Sequence, residues 1–324
     1  MTDCLTLGDY RCQIDDGGAA AIIDYTGHAG ALEIPAEIGG HRVVSIGEGA
    51  FASCDGLTAV TVPDGVTSIG ERAFFNCDHL TDVSLPGSVA EIGERAFCLC
   101  YDLSALVLPC GVASIGYAAF ADCVSLRAVE LPGSLVSIGE AAFSGCEALT
   151  GVVIPNSVRS IGKSAFASCT GMTALTLPDS LAEISDEAFF ECSALTAVVI
   201  PDRVTLIGDW AFSACRALES VVLPKGLVFI GDGAFAECQG LTAVVIPSGV
   251  TSIGYEAFSR CTALNRAVIP ASVTEIGVDA FSFSDRVALV VVPGSEAEDY
   301  ARSEGIRCVY SEAERDRRFP PARV

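Results

Sequence analysis

The chain is poor in lysine, histidine and tryptophan, and it has no long apolar run. Among 324 residues there are two lysines, three histidines and one tryptophan, and the formal net charge is -22. Phosphate backbones and anionic lipid surfaces are repelled by such an acidic protein, so the composition argues against nucleic acid as a partner. No stretch approaches the ~18 apolar residues of a membrane helix, which argues against membrane insertion.

The first residues also lack the features of an export signal. MTDCLTLGDYRCQIDDGG has acidic residues where a signal peptide has a basic start, and no apolar run follows. The sequence as written therefore predicts a cytoplasmic location. The cell surface or secretion is the alternative if an export signal has been removed.

The scarcity of histidine argues against catalysis. His28, His41 and His79 all lie near the N-terminal end, so no Ser/His/Asp or Cys/His arrangement is distributed along the rest of the chain. Cys98 and Cys100 are too close together for a zinc-binding pair, and Cys100 belongs to a periodic column. We therefore predict a non-enzymatic protein with no metal and no cofactor.

A 23-residue period organises what is present. Proline, phenylalanine and cysteine each recur at this spacing. A fixed period of this length indicates a solenoid, in which each unit stacks on its neighbours to bury its apolar side. The columns are Pro63, Pro86, Pro109, Pro132, Pro155, Pro178, Pro201, Pro224, Pro247, Pro270 and Pro293; the phenylalanines from Phe51 to Phe281; and ten cysteines from Cys54 to Cys261.

Each unit has three parts, as residues 57–77 illustrate. Leu57, Val60 and Val62 alternate as in a strand, which the proline ends because it cannot donate a ladder hydrogen bond. Val66 and Ile69 predict a second short strand or extended turn. Residues 70–77 predict a short helical turn with its phenylalanine inward. The fold class is an α/β repeat solenoid with short parallel strands.

The repeat pattern also predicts the domain organisation. Residues 1–34 lack the repeat and form an N-terminal β cap, and about eleven repeats occupy 35–293 with a hairpin insertion near 39–43. Residues 294–310 read as a closing helix and strand. The charged tail 311–324 has little to bury, so we expect it to be disordered. The whole solenoid is interpreted as one domain.

The unit L-x-x-V-x-V-P-x-x-V-x-x-I-G-x-x-A-F-x-x-C, as in 57–77, closely resembles the BspA-like bacterial leucine-rich repeat. The resemblance covers roughly 35–293. It implies a right-handed leucine-rich-repeat-type solenoid and a role in binding proteins, often as a surface adhesin of host-associated bacteria.

Two columns have simple structural interpretations. The ten periodic cysteines are expected to be reduced and buried, because side chains pointing the same way into an apolar core behave as small hydrophobes. The position after the repeat glycine is acidic in seven copies. A carboxylate near the start of a short helix is stabilised by free N–H groups, and this explanation is preferred to calcium binding. The seven acids are Glu48, Glu71, Glu94, Glu140, Asp186, Asp209 and Asp232.

The candidate partner-binding surface is the outward side of the strands. Residues two positions before each proline must point outward, since those one and three before it point inward. An exposed apolar strip of this kind indicates either a binding site or β-propensity on a solvated sheet. The candidates are Val153, Val199, Val222, Val245, Val268 and Val291, with Trp210 as a further outer contact.

Two functions are compatible with these features. The first is a scaffold that uses a repeat face to hold a protein or peptide, with adhesion or host interaction as the expected setting. The alternative is a structural spacer or self-associating rod with no separate ligand.

Overall fold

The computed structural model describes residues 3–310 of the chain. The chain divides into two compact units, Met1–Pro178 and Asp179–Val324. Each unit is a β-solenoid of stacked coils with short parallel strands and little helix. The predicted disorder of 311–324 concerns residues outside the described part of the chain.

Unit 1 begins with a small antiparallel sheet and continues with coils that each contribute two short strands. Strand β5 pairs antiparallel with β6, and the turn between them contains Gly39 and Gly40, both with positive φ. The strands are β1 (Asp3–Leu7), β2 (Tyr10–Ile14), β3 (Ala20–Tyr25), β4 (Ala31–Glu33), β5 (Glu37–Ile38), β6 (His41–Ile46), β7 (Ala59–Thr61), β8 (Ser68–Ile69), β9 (Asp82–Ser84), β10 (Glu91–Ile92), β11 (Ala105–Val107), β12 (Ser114–Ile115), β13 (Ala128–Glu130), β14 (Ser137–Ile138), β15 (Gly151–Val153), β16 (Ser160–Ile161) and β17 (Ala174–Thr176).

Unit 2 repeats the same coil and ends with a helix and a strand. The elements are β18 (Glu183–Ile184), β19 (Ala197–Val199), β20 (Leu206–Ile207), β21 (Ser220–Val222), β22 (Phe229–Ile230), β23 (Ala243–Val245), β24 (Ser252–Ile253), β25 (Arg266–Val268), β26 (Glu275–Ile276), β27 (Ala288–Val291), α1 (Glu296–Ser303) and β28 (Arg307–Tyr310).

The two strands of a coil belong to different sheets. In unit 1 the two-residue strands β8-β10-β12-β14-β16 form one sheet, which continues through β6 to the N-terminal strands β3, β2 and β1. The strands before the prolines form smaller sheets, β4-β7-β9, β11-β13 and β15-β17. In unit 2 the corresponding sheets are β18-β20-β22-β24-β26 on one side, and β19-β21 and β23-β25-β27-β28 on the other.

The core of each unit is a column of stacked phenylalanine rings. The ring centroids of Phe51 and Phe74 are 5.0 Å apart, and those of Phe235 and Phe258 are 5.4 Å apart. In both pairs the ring planes are nearly parallel. In unit 1, Tyr25 covers the N-terminal end of the column. In unit 2, Tyr300 covers the C-terminal end, where it lies over Phe281 and its hydroxyl accepts a hydrogen bond from the Phe281 backbone N–H.

The predicted helical turn is wrong. In the turn segment, which is the run from the repeat glycine to the cysteine, Arg72 and Asn76 have left-handed φ of 52° and 57°. The Arg72 N–H donates to the Glu94 carbonyl and the Phe74 N–H to the Ala96 carbonyl, both in the next coil. Because these groups bond between coils rather than four residues back along the chain, the segment forms another ladder and no α-helix.

The repeat glycine is favoured by close approach rather than by a sharp corner. A Cβ atom on Gly93 would lie 2.8 Å from the carbonyl carbon of Gly70 in the preceding coil. Real Cβ atoms do not come this close to backbone, so a side chain at this position forces the backbone to shift, and in one coil Ser185 does replace the glycine.

Candidate functional site

The strand face is the outward side of the strands that precede the prolines, and in unit 2 it carries a column of exposed valines. Val199 lies opposite Val222 in β19–β21, and Val245 lies opposite Val268 in β23–β25. Val199, Val222 and Val245 are 65%, 56% and 64% exposed, whereas the adjacent Val198 is buried. The side chains therefore alternate between core and solvent as the sequence predicts.

The end of this column differs from the prediction. Val268 is only half-exposed and Val291 is buried at 1% exposure. In the pairing of β25 with β27, Val268 lies opposite Val290, so the last strand is shifted by one residue. A shift of one residue turns every side chain to the other face, so placing Val291 on the exposed surface was wrong.

Small side chains and positive charge surround the exposed valines. The second outward column of these strands consists of Ala197, Ser220, Ala243 and Arg266, all exposed. The strands with their flanking residues (196–203, 219–225, 242–248 and 265–271) carry three basic residues, Arg203, Lys225 and Arg266, against Asp202 and Glu219. The strand face of unit 2 therefore does not share the acidic excess of the chain.

Val153 and Trp210 occupy different surroundings. Val153 lies at the end of β15 in unit 1 and is 70% exposed. Trp210 lies in the turn segment and is half-exposed. A Cβ atom on Gly233 would lie 2.3 Å from the Trp210 ring, so the ring packs directly on this glycine. Part of the indole surface is thus used within the unit, and the rest faces solvent.

The acidic column has a structural role, but not the predicted one, because no helix begins there. The Asp186 carboxylate accepts the backbone N–H of Asp209 at 2.9 Å, and the Asp209 carboxylate accepts that of Asp232 at 2.8 Å. Asp232 in turn accepts the N–H of Tyr255. Each of these three aspartates therefore accepts a hydrogen bond from a backbone donor of the following coil. Within residues 3–310, no group of three or more His, Cys, Asp or Glu side chains is arranged to hold a metal.

The periodic cysteines form a ladder of free thiols. The Cys238 thiol donates to the Phe212 carbonyl of the preceding coil at 3.2 Å. Burial raises the pKa of Cys77 and of Cys215 to about 12. Cys54 differs from the prediction because it is only half-buried, since it belongs to the first coil of the column.

The histidines and the half-buried thiol do not form an activated nucleophile. His28 and Cys54 both line a cleft of about 290 Å³ at the N-terminal end of unit 1. Burial, with smaller contributions from Asp55 and Asp24, raises the pKa of Cys54. Because the thiolate is the reactive form, a raised pKa makes this cysteine less nucleophilic.

A groove on the strand face of unit 1 was not predicted. It has a volume of about 470 Å³ and is lined by residues of β13, β15 and β17 and by residues that flank these strands. The 23-residue pattern does not reveal it, because the groove depends on a difference between alternate coils. A signal is present in the sequence: Leu131 and Leu135 flank one proline, whereas Ile154 and Val158 flank the next.

Comparison with known proteins identifies the repeat. A family model of the BspA type leucine rich repeat region, six copies long, matches residues 36–150, 90–216 and 182–298. The chain belongs to the BspA-type leucine-rich repeat family. The resemblance noted in the sequence is therefore confirmed. A search of curated proteins found no significant match.

Several solved structures of this family are similar. A leucine rich cell surface protein from Faecalibacterium prausnitzii is 30% identical over 93% of this chain and 97% of its own, with a TM-score of 0.54. A leucine-rich repeat protein from Bacteroides ovatus is 23% identical over 95% and 91%, with a TM-score of 0.66. The T. pallidum leucine rich repeat protein is 29% identical over 65% and 88%, with a TM-score of 0.50.

BspA-type family membership sets the general function. Leucine-rich repeat proteins are generally protein-interaction scaffolds and are generally non-enzymatic. Within residues 3–310, no helix has the length and apolar character needed to cross a membrane.

Proposed function

We propose that this BspA-type protein is a non-enzymatic scaffold whose strand face in unit 2 holds a protein or peptide partner. The observation that carries the proposal is the set of Val199, Val222 and Val245, each more than half exposed on successive coils. The residues beside them are small, so a partner can reach the valine methyl groups without obstruction.

The expected binding energy is modest and comes from covering these valines. Full burial of a valine side chain contributes about 1.5–3 kcal/mol, and about 40% of each of the three is already buried. Three valines therefore supply on the order of 3 kcal/mol. The partner adds further contacts to Ala197, Ser220 and Ala243, and acidic groups on it would pair with Lys225 and Arg266.

The other predicted residues have secondary places in the proposal. Val268 lies half-exposed at the end of the column and extends the contact. Val153 offers the same kind of contact in unit 1. The exposed part of Trp210 offers a second contact, in the turn segment.

Adhesion or host interaction is the proposed setting. The similar protein from Faecalibacterium prausnitzii is described as a cell surface protein, which supports a surface role for this chain as well. A surface role does not agree with the cytoplasmic location predicted from the N-terminal residues. Detection of the protein on intact cells with an antibody distinguishes the two locations.

The strand-face proposal is tested with a double variant, Val222→Asp with Val245→Asp. The matched control is Val278→Asp, because Val278 is 69% exposed but lies in the turn segment of the same unit. The assay has two parts, pull-down of partners from the source organism and light scattering to detect self-association. The proposal predicts that the double variant loses association, that Val278→Asp keeps it, and that both retain the wild-type melting temperature. Association that survives in the double variant would refute the strand face and would favour the side that carries Trp210.

A further inference from the structure

The groove in unit 1 is open because two neighbouring strands do not form a ladder. The Leu108 N–H donates to the Glu130 carbonyl at 3.1 Å, and the Ile154 N–H donates to Thr176 at 3.0 Å, which joins β11 to β13 and β15 to β17. Among the described residues, no equivalent bond runs from Leu131 to the coil of β15. Adjacent coils therefore separate on the strand face between β13 and β15.

The separation leaves apolar side chains half-exposed that are core in the neighbouring coils. Val129 and Leu131 are half-exposed, whereas Leu106 and Val152, which occupy the position of Val129 in the coils before and after it, are 2% and 4% exposed. The alternation is general along the strand face, since Val83, Leu175 and Val221 are half-exposed at the same position. Gly151 widens the groove further, because other strands have a side chain at this position. The groove is lined by Val129, Glu130, Leu131, Gly151, Val152, Val153, Pro155, Ala174 and Thr176.

The rim of the groove is negatively charged. Glu130 is exposed, lines the groove and has no ion-pair partner within residues 3–310. The strand-face strands of unit 1 (β4, β7, β9, β11, β13, β15 and β17) contain Glu33, Asp82 and Glu130 and no basic residue, although Arg127 directly precedes β13. An unpaired carboxylate beside an apolar groove complements a ligand that combines an apolar group with a cation.

We infer that this groove binds a basic peptide segment of a protein partner, with a leucine or isoleucine side chain inserted between β13 and β15. Its volume lies within the range of about 300–1,000 Å³ for ligand sites, which is room for one or two side chains. Glu130 pairs with a lysine or arginine next to the inserted residue. This site is independent of the valines in unit 2, so either proposal can fail alone.

The test uses three short probes and methyl-labelled protein observed by NMR. The probes are acetyl-Lys-Leu-Lys-amide, acetyl-Glu-Leu-Glu-amide and acetyl-Lys-Ser-Lys-amide. The proposal predicts that the first probe shifts the methyl signals of Val129, Leu131 and Val153 at millimolar concentration. The other two probes bind at least tenfold more weakly. Absence of shifts at these methyl groups, or equal binding of the acidic probe, would overturn the proposal.

Two variants separate binding from folding. Gly151→Arg fills the groove, and Arg266 occupies the same column in unit 2. A Cβ atom at position 151 would lie 3.0 Å from the Ala174 carbonyl oxygen, so the strand shifts by a few tenths of an ångström, and the melting temperature of this variant is measured alongside binding. The control is Ala59→Arg, at the same column position four coils earlier. Gly151→Arg abolishes the shifts and Ala59→Arg keeps them. Glu130→Gln, which keeps the size and shape of the side chain, weakens the basic probe several-fold and reduces its salt dependence. Unchanged affinity in both Gly151→Arg and Glu130→Gln contradicts the inference.

Discussion

Replacement of Phe235 by alanine tests the packing that holds the coils together. Phe235 is fully buried, and its ring stacks between Phe212 at 5.5 Å and Phe258 at 5.4 Å. Phenylalanine-to-alanine changes in a core cost about 3–5 kcal/mol through lost burial and the cavity left behind. Each of the two ring contacts contributes about 0.5–1.5 kcal/mol beyond burial. We therefore expect Phe235→Ala to lower the free energy of unfolding by about 4 kcal/mol or more.

The assay is urea unfolding followed by tryptophan fluorescence. Trp210 is the only tryptophan in the chain and packs on Gly233, two residues before Phe235, so its emission reports on the affected coils. With a slope of about 1–3 kcal/mol per molar urea, a loss of 4 kcal/mol lowers the midpoint by at least about 1 M.

Phe283→Ala is the matched control for Phe235→Ala. Phe283 is 64% exposed and its main contact is with the Arg260 guanidinium, 4.7 Å from the ring centroid. Such a cation–π contact contributes about 0.5–1 kcal/mol at an exposed site. If Phe235→Ala lowers the free energy of unfolding by less than about 1 kcal/mol, or by the same amount as Phe283→Ala, the stacked rings do not hold the coils together.

Three further outcomes follow from the ladders. The free energy of unfolding should fall as the pH rises from about 9 towards 12, by up to about 1.4 kcal/mol per pH unit for each buried thiol. The reason is that burial raises the pKa of Cys215 to about 12 in the folded protein, so the thiol ionises first in the unfolded chain. Thermal melts at a series of pH values measure this, and a melting temperature that does not change with pH would contradict it. Cys238→Ser should lower the free energy of unfolding by less than about 1 kcal/mol, because Ser284 occupies the same column in the last coil and its hydroxyl donates to the Phe258 carbonyl at 2.9 Å. A larger loss, measured by thermal melts, would show that the thiol itself is needed. Asp209→Ala should lower the free energy of unfolding by about 1–3 kcal/mol, because it removes the acceptor of the part-buried Asp232 N–H. Asp202→Ala, at an exposed site, should change it little. The urea midpoints of the two variants test this, and equal effects would refute the acceptor role.

The strand and core positions were predictable because they follow the period. Phenylalanine, cysteine and the residues before proline recur every 23 positions, and stacking places each column in register, as the pairing of Ile69 with Ile92 shows. The alternation of inward and outward side chains on the strand face follows from strand geometry alone. It placed Val199, Val222 and Val245 in solvent.

The turn segment could not be predicted in this way. Arg72 and Asn76 have left-handed backbones, yet neither is glycine, and arginine has no preference for this conformation. The conformation is imposed by hydrogen bonds to the next coil, which local propensity does not encode. Acidic residues after a glycine therefore resembled a helix start although no helix forms.

The register at the end of unit 2 and the groove in unit 1 depend on contacts between coils. Strand β27 pairs with β28 as well as with β25, and Val291 is buried because the pairing is shifted by one residue. The groove reflects a difference between alternate coils, with leucine on both sides of one proline and isoleucine and valine on both sides of the next. The same alternation recurs at Pro178 and Pro201, so it marks the difference between alternate coils and does not locate the groove by itself.

Site-specific photocrosslinking tests the strand-face binding claim most directly. A photoreactive residue is placed at position 245 on the strand face or at position 278 in the turn segment, and each protein is exposed to extract of the source organism. The account predicts a discrete crosslinked product from position 245, competed away by unlabelled wild-type protein but not by the Val222→Asp, Val245→Asp double variant. It predicts no such product from position 278. Crosslinking from position 278 alone, or competition by the double variant as strong as by wild type, would contradict binding at the strand face.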